Sequence, residues 1–528
     1  VIEGRRHVLG QVPDAQATDC YWAEARGAES PAIPKESLQA ALQRTSDEME
    51  HVLHALGGRF ISPGPSGHLS RGKTEVLPTG RNFFGTDLNA VPTRAAWDMG
   101  VRMGTLLLER YWEEEGQFPS TIGITLWSSD VFQAEGELVS QVLWLLGCRP
   151  VWTGAGRVRG VELIPLEELA LSRADGGDVR ARPRIDVVVQ MSGVVRDTLP
   201  NMYVLIDEAA SLAGEQDESP LHNFVRAHMQ ARLDSLRQEM AGAEESALRC
   251  LASARVFSSQ PGSYGTGVQY AVDASAWETD QDLAEVFINW TGYAYGTDGA
   301  RKSTAVPARA ALKEYAHLMG TVDVAYQKAL GAEYDALSIS CCASSQGGMA
   351  VTRRTVSGRD AKLYWGDSVS TVQPELRDLR EELELSVTGR LLNDAWLEQR
   401  KADGYQGAGT VACRVGTLFV WSALTRQVTK AHFDAVHRTL IENDDNRRWL
   451  SEANIYALEE ITRRLLEASS RGLWQADERR LEQLKEIVLQ IEGDMEEGIG
   501  LVQGEMQGGS VDIKTRRSVE TWKYEFTL

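Results

Sequence analysis

No Cys-x-x-Cys pair occurs in this chain, and its six cysteines are scattered through 528 residues. Neither a zinc ribbon nor a disulfide scaffold is therefore available to hold it. The adjacent Cys341 and Cys342 read as buried or strand-edge residues rather than metal ligands, and such sparing use of thiols suits a reducing, cytoplasmic compartment. No run approaches the roughly eighteen apolar residues of a membrane span. Positive charge is short as well: 55 Lys and Arg face 75 Asp and Glu, for a net charge of −20. That balance excludes non-specific binding to nucleic acid, which needs a basic surface. No Gly-x-x-x-x-Gly-Lys-Ser/Thr loop is present and no Gly-x-Gly-x-x-Gly follows a predicted strand, which removes a P-loop ATPase and a Rossmann-type oxidoreductase. PGSYGTG (261–267) is glycine-rich but lacks both the P-loop ending and its strand–loop–helix context. The opening VIEGRRHVLG has neither an initiator Met nor a signal peptide's apolar core, so the chain is expected to start within a longer protein.

What is present is globular in kind. Hydrophobic residues make up 43% and charged residues 25%, ordinary values for a folded protein, and the length predicts roughly two to four domains. Residues 36–57 read as an amphipathic helix, with Leu38, Leu42, Met49, Leu53 and Leu56 near one face and Gly57–Gly58 as its stop. His51 and His54 stand at i, i+3 without a third ligand at a known spacing, and read as a surface pair. The stretch Gly58–Trp97 follows, long and mostly non-helical, with Pro63, Pro65, Pro78 and Pro92. Connections of this length are functional or disordered. Phe60, Ile61, Leu77, Phe83 and Phe84 are available to pin this one down, so an ordered, packed loop is expected. Thr93 or a neighbour then caps a helix running to about Glu115.

Beyond it the period changes. TIGITLWSS (121–129) suits a buried strand, AEGELVSQVLWLLG (134–147) a helix, PVWT (150–153) and VELIP (161–165) brief strands, and RIDVVVQMSG (184–193) the strongest buried strand of the chain. Strands alternating with helices imply a mainly parallel sheet with crossover helices. The expected fold is α/β: a doubly wound, mainly parallel sheet at about 116–215, after an N-terminal helix, loop and helix (1–115). A helical and loop continuation with an aromatic patch (216–300), a mainly helical region (301–497) and a tail (498–528) complete it. Ligands in such sheets sit at the carboxyl ends of strands. Two loops qualify: one offers Ser128, Ser129, Asp130, Glu135 and Glu137, the other Ser192, Arg196, Asp197 and Asn201. Singly these residues read as helix caps; together they form a ligand-facing rim.

Ser219–Pro220 reads as the opening of the next helix, and His222 and His228 on it lack metal-type spacing. Trp290, Tyr293 and Tyr295 are either core or the wall of a large flat-ligand site. After about 301 the pattern is helical except for the small-residue passage YDALSISCCASSQGGMA (334–350). Leu481, Leu484, Val488, Ile491 and Met495 stripe the last long helix, which reads as a core or partner helix.

Several passages also resemble a known family. GRFISPGPSG, LPTGRNFF, VPTRAAW, LLGCRPVW, RIDVVVQMSGVVRDTLPN, ESPLHNFVRAH, RVFSSQPGSYGTGV, YAYG, GDSV, GRLLNDAWLEQRKADGYQGAG and NIYALEEITRRLLEASSRGLW occur in that order, followed by LEQLKEIVLQIEGDMEE. From about residue 36 to 497 this wording is similar to the C-terminal portion of the large subunit of aerobic cobaltochelatase and its magnesium chelatase relatives. The resemblance implies a ligase forming nitrogen–metal bonds in cobalamin biosynthesis or its magnesium counterpart. Its substrates are Co²⁺ or Mg²⁺ and a tetrapyrrole, held by this large chain, while separate AAA+ partner subunits hydrolyse ATP. Insertion needs a base for the pyrrole N–H protons and oxygen or nitrogen ligands for the metal. On that footing Glu135 is the first candidate for proton or metal handling and Asp130 the second; the alternative for Glu135 is a first-turn acid facing a helix dipole. Arg81 suits a carboxylate on the ring or a loop-bracing ion pair, with Asn82 beside it, and Arg196 and Asn201 join the substrate side. The metal-ligand set is unassigned. Four departures favour an alternative, a non-catalytic tetrapyrrole-binding or scaffold paralogue. The family's His/Glu segment would lie upstream of Val1, Gln346 replaces the His of an HGG motif, FVWSALT (419–425) loses the Asp of FGWDAT, and His68 replaces the Asp of GPSGD.

Overall fold

A computed structural model describes residues 35–65, 76–81, 85–171, 180–297 and 308–499. The strands are β1 (Thr121–Leu126), β2 (Cys148–Trp152), β3 (Val158–Leu163), β4 (Ala170–Leu171), β5 (Arg180–Ala181), β6 (Asp186–Met191), β7 (Val256–Ser258), β8 (Tyr293–Ala294), β9 (Arg309–Ala310), β10 (Val324–Lys328), β11 (Lys362–Asp367) and β12 (Glu375–Asp378). Among the described residues one sheet has eight strands in the order β12-β11-β10-β1-β6-β7-β8-β9. Its five central strands are parallel, and β12, β8 and β9 run antiparallel to their neighbours at the two edges. β1 and β6 are buried at every position, as their largely apolar runs require of strands covered on both faces. The α/β, mainly parallel reading holds.

The sheet nevertheless draws on more of the chain than 116–215, since β7 to β12 lie between residues 256 and 378. PVWT and VELIP are strands, but they form a separate antiparallel hairpin, β2–β3. The turn between them is too short for the crossover that parallel neighbours need. VAYQK takes the place beside β1 instead and KLYWGD the place beyond it, carrying Gln327, Lys328, Lys362 and Asp367 into otherwise apolar strands.

Helix Arg94–Glu115 is capped as expected, with Ala96 N donating to Thr93 Oγ1 at 3.2 Å, and ends at Gly116 in the left-handed region. Helix Phe224–Glu239 differs: its cap is Asn223, whose side chain accepts from Arg226 N at 2.9 Å, while Ser219–Pro220 stands in the preceding turn. Residues 36–57 form two helices, Lys35–Gln43 and Asp47–Leu56, joined by a 3₁₀ turn. Leu38 is buried, but Met49, Leu53 and Leu56 of the same stripe are exposed. Tyr293 and Tyr295 belong to the core, and Trp290 stands partly exposed beside them.

The later helices pack over the sheet and around helix Gly404–Thr425. That helix is long and apolar enough to cross a membrane by composition, yet 78% of the apolar window is buried within the fold. It is a core helix. Helix Ser340–Ser357 lies against it through Gly347, where a Cβ would stand 2.7 Å from Leu424 Cβ, and Gly348 is pressed equally against the Phe287 ring. The glycine pair in SQGGMA is thus a demand of close helix packing. Gln346 beside it is fully buried and donates to Ala325 O (2.9 Å) and Tyr364 O (3.0 Å), tying the helix to β10 and β11.

One buried imidazole sets a pH dependence. Burial pushes His437 below the ordinary histidine value of 6.5. The unfolded chain therefore takes up protons first, and the contribution is complete above about pH 6.5 and lost as the pH falls below it. Thermal unfolding midpoints are expected to drop between pH 7.5 and 5.5, and to drop less in His437→Gln. A slope indifferent to that substitution would remove His437 from the account.

Candidate active site at the carboxyl edge of the sheet

From β1 the chain moves to β6 on one side and later returns to β10 on the other. This is the topological switch point of a doubly wound sheet, outside whose carboxyl ends ligands bind. The residues that meet there come from widely separated parts of the chain.

β1 ends at Leu126, and Trp127 Nε1 donates to Gln327 Oε1 of β10 at 3.2 Å. Helix Ser128–Gln133 then carries Asp130, and helix Glu137–Leu145 opens with Glu137. Both Asp130 oxygens accept from Leu138 N at 3.0 Å. Lys328, the last residue of β10, places Nζ 2.8 Å from Asp130 Oδ1 and 2.9 Å from Glu137 Oε2. Ser368, just after β11, donates to Glu137 Oε2 at 2.5 Å. One buried ammonium thus serves two buried carboxylates. Next to it Asp367 pairs with Arg377 at 3.0 Å, and Arg377 with Glu382 at 3.0 Å. Asp130 is therefore committed to pinning the helix start and the ion cluster. Nothing in the sequence marks Lys328, because the short strand it ends also carries Gln327. Asp367 and Ser368 lie inside the GDSV passage.

Glu135 is placed differently. It is partly exposed, has φ +54°, and forms the turn between the two short helices. It precedes the second helix, so the first-turn acid is Glu137. Thr93 N donates to Glu135 O, and Thr93 Oγ1 to Glu135 Oε2, both at 3.2 Å. Asn201, at the start of helix Pro200–Gly214, donates through Nδ2 to Leu88 O at 2.7 Å. The two residues clamp the last part of the Gly58–Trp97 stretch from either side. Asn201 and the hairpin β2–β3 border a cavity of about 470 Å³ whose lining includes Leu88, Val91, Val158, Arg159 and Leu205.

Arg81 donates to Pro78 O (3.0 Å) and Leu77 O (3.3 Å), bracing its own loop through carbonyls, while His51 Nδ1 lies 2.8 Å from Gly80 O. Asn82 and His68 lie outside the described residues. Arg196 is buried and pairs in bidentate fashion with Asp197 (2.6 and 2.7 Å). It also donates to Ser259 O, Gln260 O and Ser263 O at 3.0, 2.6 and 2.9 Å. Its hydrogen bond holds the Asp197 carboxyl below the usual range. Tyr264 donates to Asp197 Oδ2 at 2.8 Å and is 53% exposed. Arg196 therefore fixes the PGSYGTG loop after β7 so that an aromatic ring faces outward beside the rim. The structure brings Asp130, Glu135, Arg196 and Asn201 to one edge of the sheet. Ser422, where the FGWDAT pattern has Asp, lines a separate polar cavity with Arg354 and Asp280. No group of three or more His, Cys, Asp or Glu able to hold a metal occurs among the described residues.

Replacing Lys328 would leave two buried carboxylates without their counter-charge, a change that costs about 3–5 kcal/mol when one partner of a buried pair is lost. Lys328→Met is expected to lower the unfolding free energy by that order in denaturant titration. A loss well under about 1 kcal/mol would show that the ion cluster does not hold this edge.

Residues 7–481 match the family model for CobN/Magnesium Chelatase. An uncharacterized protein of Methanocaldococcus jannaschii is 42% identical over 470 residues, which is 89% of this chain and 36% of that protein. The aerobic cobaltochelatase subunit CobN of Pseudomonas aeruginosa is 35% identical, across 84% of this chain and 34% of its own length. The chloroplastic magnesium-chelatase protein ChlH of Oryza sativa subsp. indica is 32% identical, across 85% and 31% respectively. Among solved structures, the catalytic subunit of cobaltochelatase from Mycobacterium tuberculosis superposes with a TM-score of 0.78 at 34% identity, over 91% of this chain and 39% of that one. The chain spans about a third of the length of these curated relatives.

Proposed function

The chain belongs to the CobN/magnesium chelatase family, and from that membership we propose that it forms the C-terminal part of a chelatase large subunit. In this reading the large chain binds a tetrapyrrole and inserts Co²⁺ or Mg²⁺ into a corrin or porphyrin precursor. ATP is hydrolysed by AAA+ partner subunits in the cytoplasm, in keeping with a sequence that carries no Walker A loop. The observation that carries the reading is the convergence at the switch point of a partly exposed carboxylate, Glu135, with the buried Asp130–Lys328–Glu137 cluster behind it.

Metal insertion removes two pyrrole protons and exchanges metal-bound water for ring nitrogens, so a carboxylate with solvent access is the useful group. Glu135 takes that role. Asp130 acts from behind, holding the helix start that follows Glu135 at a set distance from β10. Arg81 keeps one edge of its guanidinium for a carboxylate on the ring, beside Asn82. Asn201 holds the Leu88–Thr93 segment against the site, and Arg196 presents Tyr264 as an aromatic surface for the ring.

A second reading, a scaffold or tetrapyrrole-binding paralogue without insertion activity, draws on Ser422 in place of the family's Asp and on Gln346, whose amide is spent on strand carbonyls. Titration of the chain with protoporphyrin or hydrogenobyrinic acid diamide is expected to shift the ring's absorbance. With partner subunits, ATP and metal, Glu135→Gln is expected to slow insertion by roughly 10²-fold or more, the usual size of a general-base contribution. Binding without insertion would favour the scaffold, and no binding of either ring would refute both.

A further inference from the structure

The cavity between the β2–β3 hairpin, helix Pro200–Gly214 and the Leu88–Ala90 turn is separate from the ion cluster, and its chemistry is specific. At about 470 Å³ it falls within the size of small-molecule pockets, which are mostly apolar with a few placed polar groups. Leu88, Val91, Val158, Val204 and Leu205 supply the apolar wall. The polar groups are Asn89, Arg159, Asn201 and Glu208.

Arg159 stands apart from its neighbours. On the same hairpin Arg149 pairs with Glu162 at 2.7 Å, and Arg157 pairs with Asp87 at 3.4 Å. Arg159 has no ion pair or hydrogen bond among the described residues. In a chain of net charge −20, an arginine that makes no ion pair at the wall of a partly apolar cavity is complementary to an anionic group on an apolar body. Asn201 spends one N–H on Leu88 O, and its amide remains at the cavity wall to orient such a group. Glu208, on the same wall, disfavours a second carboxylate through like-charge repulsion.

We propose that this cavity is a subsite for a single carboxylate carried on an apolar arm, with Arg159 as its charge partner. Resting on the function proposed above, the arm is an acidic side chain of the tetrapyrrole; a free aliphatic acid carries the same chemistry. The ring then lies between this subsite and the Glu135 turn, because the Leu88–Thr93 segment joins the two, bonded to Asn201 at one end and Glu135 at the other.

The test uses the 528-residue chain and its Arg159→Gln variant. Each is titrated with deuteroporphyrin IX, with its dimethyl ester and with octanoate. Arg159 is exposed on a hairpin, so the variant keeps the fold. The expected result is a roughly tenfold or greater loss of deuteroporphyrin affinity in the variant, the scale of one charge-assisted hydrogen-bonded contact. The ester should bind both proteins alike. Equal deuteroporphyrin affinity for the two proteins would overturn the subsite and leave the proposed function standing. If the wild-type chain binds no porphyrin, the proposed function and the ring arm fall together. Octanoate binding that Arg159→Gln abolishes would then assign the cavity to a free acid, and absent octanoate binding would overturn it.

Discussion

The ammonium of Lys328 lies between the carboxylates of Asp130 and Glu137 at the buried end of the sheet, and the geometry of that edge depends on it. Charges removed from water are tolerated only when they are paired and their remaining lone pairs are filled. Here the filling is done by Leu138 N on Asp130 and by the Ser368 hydroxyl on Glu137. Each of these bonds joins a different element: β10, the two short helices after β1, and the turn after β11. The cluster therefore sets the position of the helix pair, and with it the Glu135 turn between them.

The second constraint is the long Pro- and Gly-containing stretch that precedes the sheet. Among its described residues it carries little regular structure, and side-chain contacts from within and outside it hold them. His51 approaches Gly80 O, Arg81 turns back on Leu77 and Pro78, Asn201 takes Leu88 O, and Glu135 takes Thr93. Residues that look like ligands in the sequence thus also hold a loop in place over the edge. Such supports fix the geometry of a site without touching substrate. They explain why ionisable residues in these passages need not all do chemistry.

Much of this was legible. β1 and β6 announce themselves because they are covered on both faces, and the absence of any nucleotide-binding loop is read directly. The rule that ligands meet strand carboxyl ends led to Asp130, Glu135, Arg196 and Asn201 before any fold was known, and all four lie at one edge. β10 and β11 were not legible, since five- and six-residue runs containing Gln, Lys and Asp do not stand out beside long helical patterns. Without them Lys328 has no address. Nor could Arg196 be separated from a ligand-facing arginine, because its acceptors sit on a loop more than sixty residues later.

Family, the strands and helices from Thr121 to Met191, charge balance and the two loops that form the rim follow from the sequence alone, because each is written locally in residue type and spacing. The tertiary structure decided which of the rim's charged groups are consumed by partners, which carboxylate retains access to solvent, and that an uncommitted arginine borders an apolar cavity. Burial and pairing are properties of neighbours: Asp130 and Lys328 are 198 residues apart in the chain and 2.8 Å apart in the fold. Periodicity tells each element which face to bury, and only packing says against what.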